Sequence, residues 1–153
     1  MITVDRLTLD DRPAWAELFG SYNTFYQRVL PAPDIDRAWQ EIQNDRILHG
    51  LAAKLDGEVV GIAHFLTHAS TTSADVCYLQ DLYTATEARG KGVARSLIQT
   101  IGAWASARGC ARLYWLTQQN NHVARDLYDK VAENRGFIQY VMPLPLEVSA
   151  PPG

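Results

Sequence analysis

DLYTATEARGKGVARSLI, residues 81–98, runs from a β-like segment into an amphipathic helix through Arg89, Gly90, Lys91 and Gly92. The first backbone N–H groups of a helix have no carbonyl within it to bond, and the helix dipole adds partial positive charge at that end. Two glycines let an anion approach those amides closely, and Arg89, Lys91 and Arg95 add charge. The stretch therefore fits a phosphate, although a Gly-Lys-Gly turn taken by spacing alone is also an ordinary connecting loop. Two nucleotide-binding patterns are excluded. GxxxxGK[ST] is absent, and Gly90-Lys91-Gly92 continues as Val93, Ala94 and Arg95 without completing GxGxxG or GxGxxA.

Before this stretch, DVCYLQDLYT has strand composition; after it, Val93, Leu97, Ile101, Trp104 and Ala105 line one helical face until Gly109 ends the helix. Two strand-like runs within residues 48–69 meet at Asp56-Gly57, a pair suited to the positive φ of a tight hairpin. At the N-terminus ITVDRLTL alternates as a first strand. Asp10 stands as an N-cap, Pro13 falls in the opening turn, and Trp15, Leu18, Phe19, Tyr22, Phe25, Tyr26 and Val29 recur at three- and four-residue spacing. Pro31 and Pro33 stop that aromatic helix, and Asp34 starts a second one through Trp39 and Ile42. Towards the C-terminus ARLYWLT reads as a strand, residues 121–134 as a helix through Val123, Leu127, Tyr128 and Val131, and GFIQYVM as a last strand. The order is β-α-α-β-β-β-α-β-α-β in a single domain over 1–153, ending in a Pro-rich tail.

The 153 residues suffice for one continuous core, and 47% hydrophobic with 20% charged residues is ordinary globular composition. A net charge of −3 argues against non-specific binding to nucleic acid or anionic membranes and suits a cationic substrate. No segment reaches the roughly 20 apolar residues of a membrane helix, and the N-terminus has no signal-peptide pattern. Cys77 and Cys110 show neither zinc nor disulfide spacing, so a reducing, cytoplasmic setting fits. His64 and His68, four apart in a strand, would lie about 13 Å apart, too far for one metal ion. A substrate contact or plain surface suits them better.

Arg89-Gly90-Lys91-Gly92-Val93-Ala94 matches [QR]-x-x-G-x-[GA], and here the chain resembles the GNAT superfamily of N-acetyltransferases. YLQDLYT looks like that family's fourth strand. Asn121, Ala124, Leu127, Tyr128, Gly136 and Phe137 look like its N-x-x-A-x-x-L-Y…G-F signature. The resemblance implies an α/β (α+β) acyl-CoA acyltransferase fold, a mixed sheet of about six to seven strands with about four helices. It also implies acetyl-CoA as cofactor and no metal. YLQDLY, GCARLYWL and YNTFYQRVLP are closest to enzymes acetylating histone tails, polyamines and other small amines, although Gln80-Asp81 stands where polyamine acetyltransferases typically carry Glu-Asp. DKVAENR is also a few residues longer than the family norm.

Acyl transfer from a thioester to an amine needs a neutral amine held in line, donors for the developing oxyanion and a proton for the thiolate. The resemblance implies that Leu82, Tyr83 and Thr84 hold the pantetheine arm and polarise the acetyl carbonyl. It assigns the pyrophosphate to Arg89, Gly90, Lys91, Gly92, Val93, Ala94 and Arg95, and further cofactor contacts to Asn121 and Ala124. Tyr128 matches the thiolate-protonating position, and a phenol with a pKa of roughly 10 keeps its proton at neutral pH. Asp81 is the candidate base or amine attractor, with a structural carboxylate as the alternative. Tyr22, Phe25 and Tyr26 are acceptor-wall candidates, although an aromatic stripe at helical spacing is more often core. The expected acceptor is a small-molecule or peptide amine. A protein lysine or N-terminus, an aminoglycoside, or a non-catalytic acetyl-CoA sensor remain alternatives, and the apolar last strand suggests a homodimer.

Overall fold

The computed structural model describes residues 1–146; the end of the Pro-rich tail lies outside the described residues. The elements are β1 (Ile2–Arg6), α1 (Arg12–Phe25), α2 (Ala32–Asn44), β2 (His49–Leu55), β3 (Glu58–His68), β4 (Val76–Thr84), α3 (Val93–Ala107), β5 (Leu113–Tyr114) and α4 (His122–Val131). Short 3-10 turns precede α1 and follow β4. The strands form one sheet in the order β1-β2-β3-β4-β5, antiparallel as far as β4, with β5 parallel to it. Residues 1–118 make one compact unit and the chain from residue 119 a second, which contains α4.

Local chemistry explains most boundaries. Asp56 (φ 52°) and Gly57 (φ 87°) make the left-handed turn of the β2–β3 hairpin. Gly109 (φ 79°) follows the last turn of α3 as a glycine stop should. The first strand is shorter than its alternation suggests, because the Asp11 carboxylate accepts hydrogen bonds from the Thr8 N–H (2.9 Å) and hydroxyl (3.1 Å) and turns the chain at residue 9. Asp11, not Asp10, is the N-cap of α1. α2 begins at Ala32 and includes Pro33 in its first turn, where a missing N–H costs nothing; Asp34 lies inside the helix and does not open it.

Among the described residues the sheet has five strands where six to seven were expected. ARLYWLT contributes only Leu113–Tyr114, and GFIQYVM forms no strand among the described residues. A strand exists only where a neighbour completes its ladder, a non-local condition that composition does not carry. Phe137, Ile138, Tyr140, Val141 and Met142 are exposed.

One face of the sheet receives α3. Gly61 on β3 faces Val93 and Leu97 so closely that an added Cβ would stand 2.6 Å from Val93 Cγ1 and 3.2 Å from Leu97 Cδ1. Val93 is buried and stiff at χ1, so the clash cannot relax cheaply. Gly61→Ala is expected to lose about 1–3 kcal/mol of stability, read as a lower urea midpoint with an unchanged m value. An unshifted midpoint would show that the β3–α3 contact is looser than described. The opposite face receives α1, whose buried residues Trp15, Phe19 and Tyr22 cover His64 and Asp81.

Candidate active site

His64 on β3 and Asp81 on β4 are register partners, so their side chains share a face. The register shifts beside them: Phe65 pairs with Leu79 and His64 with Asp81, leaving Gln80 as an extra, exposed residue. This bulge turns Asp81 toward α1 while Leu79 stays in the core beside the α3 face. Beyond the bulge, β5 pairs only with Cys77 and Tyr78, so from Leu79 to Thr84 the outer edge of β4 has no ladder partner among the described residues.

Four side chains make a connected set at the bulge. The Trp15 indole N–H donates to His64 Nε2 at 2.9 Å, His64 Nδ1 meets Asp81 Oδ2 at 2.8 Å, and the Tyr22 hydroxyl donates to Asp81 Oδ1 at 2.7 Å. An indole N–H can only donate, so Nε2 carries a lone pair and the ring proton sits on Nδ1, pointing at the carboxylate. His64 is therefore a neutral imidazole that orients Asp81. At 1% exposure it is neither a surface residue nor available to touch a substrate, which corrects the expectation for this residue. His68, by contrast, is exposed. Its Nδ1–H donates to the Ala69 carbonyl, and its Nε2 accepts from the Tyr114 hydroxyl at 2.7 Å.

Burial alone would raise the Asp81 pKa, but the hydrogen bond and electrostatic pull of His64, the hydrogen bond from Tyr22 and the positive charge of Arg28 outweigh it and hold the carboxyl below its ordinary range. Asp81 is therefore an anion at neutral pH, and its side chain keeps 16% exposure, enough for a small ligand to reach it. Burial, together with the Asp81 charge and hydrogen bond, pushes the Tyr22 hydroxyl upward, so it stays protonated as a donor. Burial likewise raises Tyr26, against the opposing influence of Arg28.

The aromatic candidates separate. Tyr22 is buried and bonded to Asp81, Tyr26 is half-buried against it with ring centroids 5.1 Å apart, and Phe25 is 53% exposed. Tyr83 packs edge-on to Tyr22 at 6.3 Å, and the Arg89 guanidinium lies 5.6 Å over the Tyr83 ring. Tyr83, Phe25 and Arg89 also line an open groove of about 660 Å³, with Gly20, Thr24 and Thr86 among its other walls. The sequence reading put Tyr22, Phe25, Tyr26 and Asp81 at the acceptor and Tyr83 at the cofactor arm; in the structure Tyr22, Tyr26, Tyr83 and Asp81 lie together and Phe25 stands exposed. That reading missed Trp15 and His64 as partners of Asp81 and left Arg28 unremarked, because a bulge and two long-range hydrogen bonds leave no local pattern.

At the glycine turn, Gly90 (φ 79°) and Gly92 (φ 86°) are left-handed, and a Cβ on either would meet open space. The Ser96 N–H is bonded to the Gly92 carbonyl, which starts the α3 ladder and leaves the amides of Val93, Ala94 and Arg95 ahead of it. The buried Thr84 Oγ1 has no hydrogen-bond partner among the described residues. A cradle of open amides, an orphan hydroxyl and a bare strand edge fit a CoA-like thioester: a pyrophosphate with an amide-bearing arm. In the second unit Asn121 is the N-cap of α4, and Ala124 and Tyr128 share one helix face.

The Acetyltransferase (GNAT) family matches residues 13–132. The chain is 32% identical over 143 residues to the D-amino-acid N-acetyltransferase HPA3 of Saccharomyces cerevisiae, covering 91% of this chain and 89% of that one. It is 33% identical over 119 residues to an aminoglycoside N(6')-acetyltransferase type 1 of Stenotrophomonas maltophilia, covering 72% of each. Among solved structures, AAC(6')-Iy in complex with a bisubstrate CoA analogue superposes with a TM-score of 0.83 at 17% identity, over 95% of this chain and 99% of that one, a likeness of fold. From the glycine turn, the bulged fourth strand and these matches, the chain belongs to the acetyltransferase (GNAT) family and is an N-acetyltransferase.

Proposed function

We propose that this enzyme, as a single domain over 1–153, transfers acetyl from acetyl-CoA to the primary amine of a small molecule by direct attack in a ternary complex. The observation that carries this reading is Asp81, a charged, oriented and reachable carboxylate beside Tyr22 and Tyr26. The names of related enzymes point the same way: a D-amino acid and an aminoglycoside are both small amines.

Asp81 attracts the ammonium and, acting through water, helps it shed its proton before attack. Tyr22 and Tyr26 wall the amine, with Phe25 at the rim. Acetyl-CoA, when bound, supplies the thioester that makes acyl transfer favourable. Leu82, Tyr83 and Thr84 orient the donor arm along the free edge of β4, with Thr84 Oγ1 offering its unused hydrogen-bond capacity. The amides of Gly90, Gly92, Val93, Ala94 and Arg95, with the side chains of Arg89 and Lys91, bind the pyrophosphate. Asn121 and Ala124 add cofactor contacts, and Tyr128 Oη holds the proton for the leaving thiolate. The exposed apolar run from Phe137 supports a homodimer, and the two free cysteines suit a reducing cytoplasm.

The test is thiol release from acetyl-CoA across spermidine, lysine, free amino acids, N-terminal peptides and an aminoglycoside, with Tyr128→Phe beside the wild type. One amine class is expected to react. Tyr128→Phe should lose about a hundredfold in turnover while still binding CoA. Acetyl-CoA bound with no amine consumed would favour a sensor, and absence of binding would remove the reading of the glycine turn.

A further inference from the structure

The end of α1 builds a fixed cation beside Asp81. The Arg28 N–H bonds to the Asn23 carbonyl at 2.8 Å and the Gln27 N–H to the Thr24 carbonyl at 2.9 Å, the two reciprocal bonds of a Schellman stop. Gln27 takes the left-handed position (φ 57°) usually given to glycine, so a strained residue is kept where it sends the chain back over the helix end. The Arg28 guanidinium consequently lies 5.4 Å from the Tyr22 ring centre and 5.1 Å from that of Tyr26. It forms no ion pair with a carboxylate among the described residues. Asp81 feels its charge and yet is not its partner.

The acceptor site therefore presents, on a shared tyrosine wall, one anion and one cation that has no carboxylate partner among the described residues. A polyamine or polycationic sugar would set a second ammonium against Arg28, whereas a molecule carrying a carboxylate near its amine satisfies both charges. We propose that the acceptor is a free amino acid, its amine at Asp81 and its carboxylate on the exposed guanidinium of Arg28. This rests on the N-acetyltransferase reading above and narrows its substrate. Arginine suits the role because its planar fork can grip both carboxylate oxygens, which a lysine cannot do.

The experiment compares kcat/KM for each D- and L-amino acid with its carboxamide and its decarboxylated amine. The amide has a less basic amine than the acid and the decarboxylated compound a more basic one, so a preference over both is not an effect of basicity. At least one amino acid is expected to exceed both analogues by about tenfold or more. Arg28→Gln should bring that ratio to within about threefold of unity, chiefly through KM, and Arg28→Lys should restore part of it. Acetylation of amines without any preference for the carboxylate, or an equal loss for all three compounds in Arg28→Gln, would overturn the inference and leave the transferase reading standing. Thiol release with no amine at all would overturn both.

Discussion

Asp81→Asn is expected to lower kcat/KM for the amine about a hundredfold while leaving acetyl-CoA affinity within about threefold of wild type. His64 Nδ1–H and the Tyr22 O–H both donate to Asp81. An asparagine has only one carbonyl oxygen to offer them. Trp15 holds His64 in the Nδ1–H form, so the asparagine must turn its oxygen to His64 and its amide N–H to Tyr22, whose hydroxyl can rotate to accept. The side chain thus keeps its place and loses its charge, and with it the role proposed for Asp81 toward the acceptor's ammonium. Steady-state kinetics at saturating acetyl-CoA, with CoA binding measured separately, checks this. A variant retaining more than about a third of wild-type kcat/KM would make Asp81 structural, the alternative left open by the sequence.

Trp15→Ala is expected to cost about 3–5 kcal/mol of stability, the largest loss from a single truncation in α1. Trp15 has no exposed surface, stacks on Phe19 at 5.1 Å, packs on Trp39 at 4.8 Å and holds His64 through its indole N–H. Alanine would open a large cavity and also strand His64 Nε2, a buried acceptor left without a donor. Trp15→Phe separates the two effects: it fills most of the space but removes the N–H. Chemical unfolding should rank the three proteins wild type, Phe, Ala. In the folded Phe variant the His64 ring is no longer held to one tautomer, so its kcat should fall by more than the remaining folded fraction explains. Equal stability of the Phe and Ala variants would mean the indole N–H, not the ring volume, dominates; equal stability of all three would contradict the core described here.

The parts legible in the sequence were those with local causes. The Asp56-Gly57 turn, the α3 stripe through Val93, Leu97, Ile101 and Ala105, and the glycine turn each depend on backbone preference or helical period, and each lies where the pattern places it. The short β5 and the unformed last strand depend on ladder partners, which no neighbouring residue announces. Asp81 was reachable through its motif position, but the group that orients it was not. His64 lies 17 residues away in sequence and Trp15 a further 49 from His64, and they meet only because Gln80 bulges out of the ladder. The same holds for Arg28. α1 ends at Phe25, ahead of the stop expected at Pro31 and Pro33, with Gln27 and no glycine at the left-handed position, so the turn that fixes the direction of Arg28 is visible only in the backbone.

The orientation of Asp81 by His64 rests on a neutral ring with its proton on Nδ1. The direct measurement is the pair of ring 15N chemical shifts of His64, with their proton couplings, at neutral pH in the intact enzyme. The expected result is a protonated Nδ1 and a bare, hydrogen-bond-accepting Nε2, the less common tautomer of a free imidazole. A proton on Nε2, or on both nitrogens, would contradict the Trp15–His64–Asp81 arrangement and with it the orientation ascribed to Asp81.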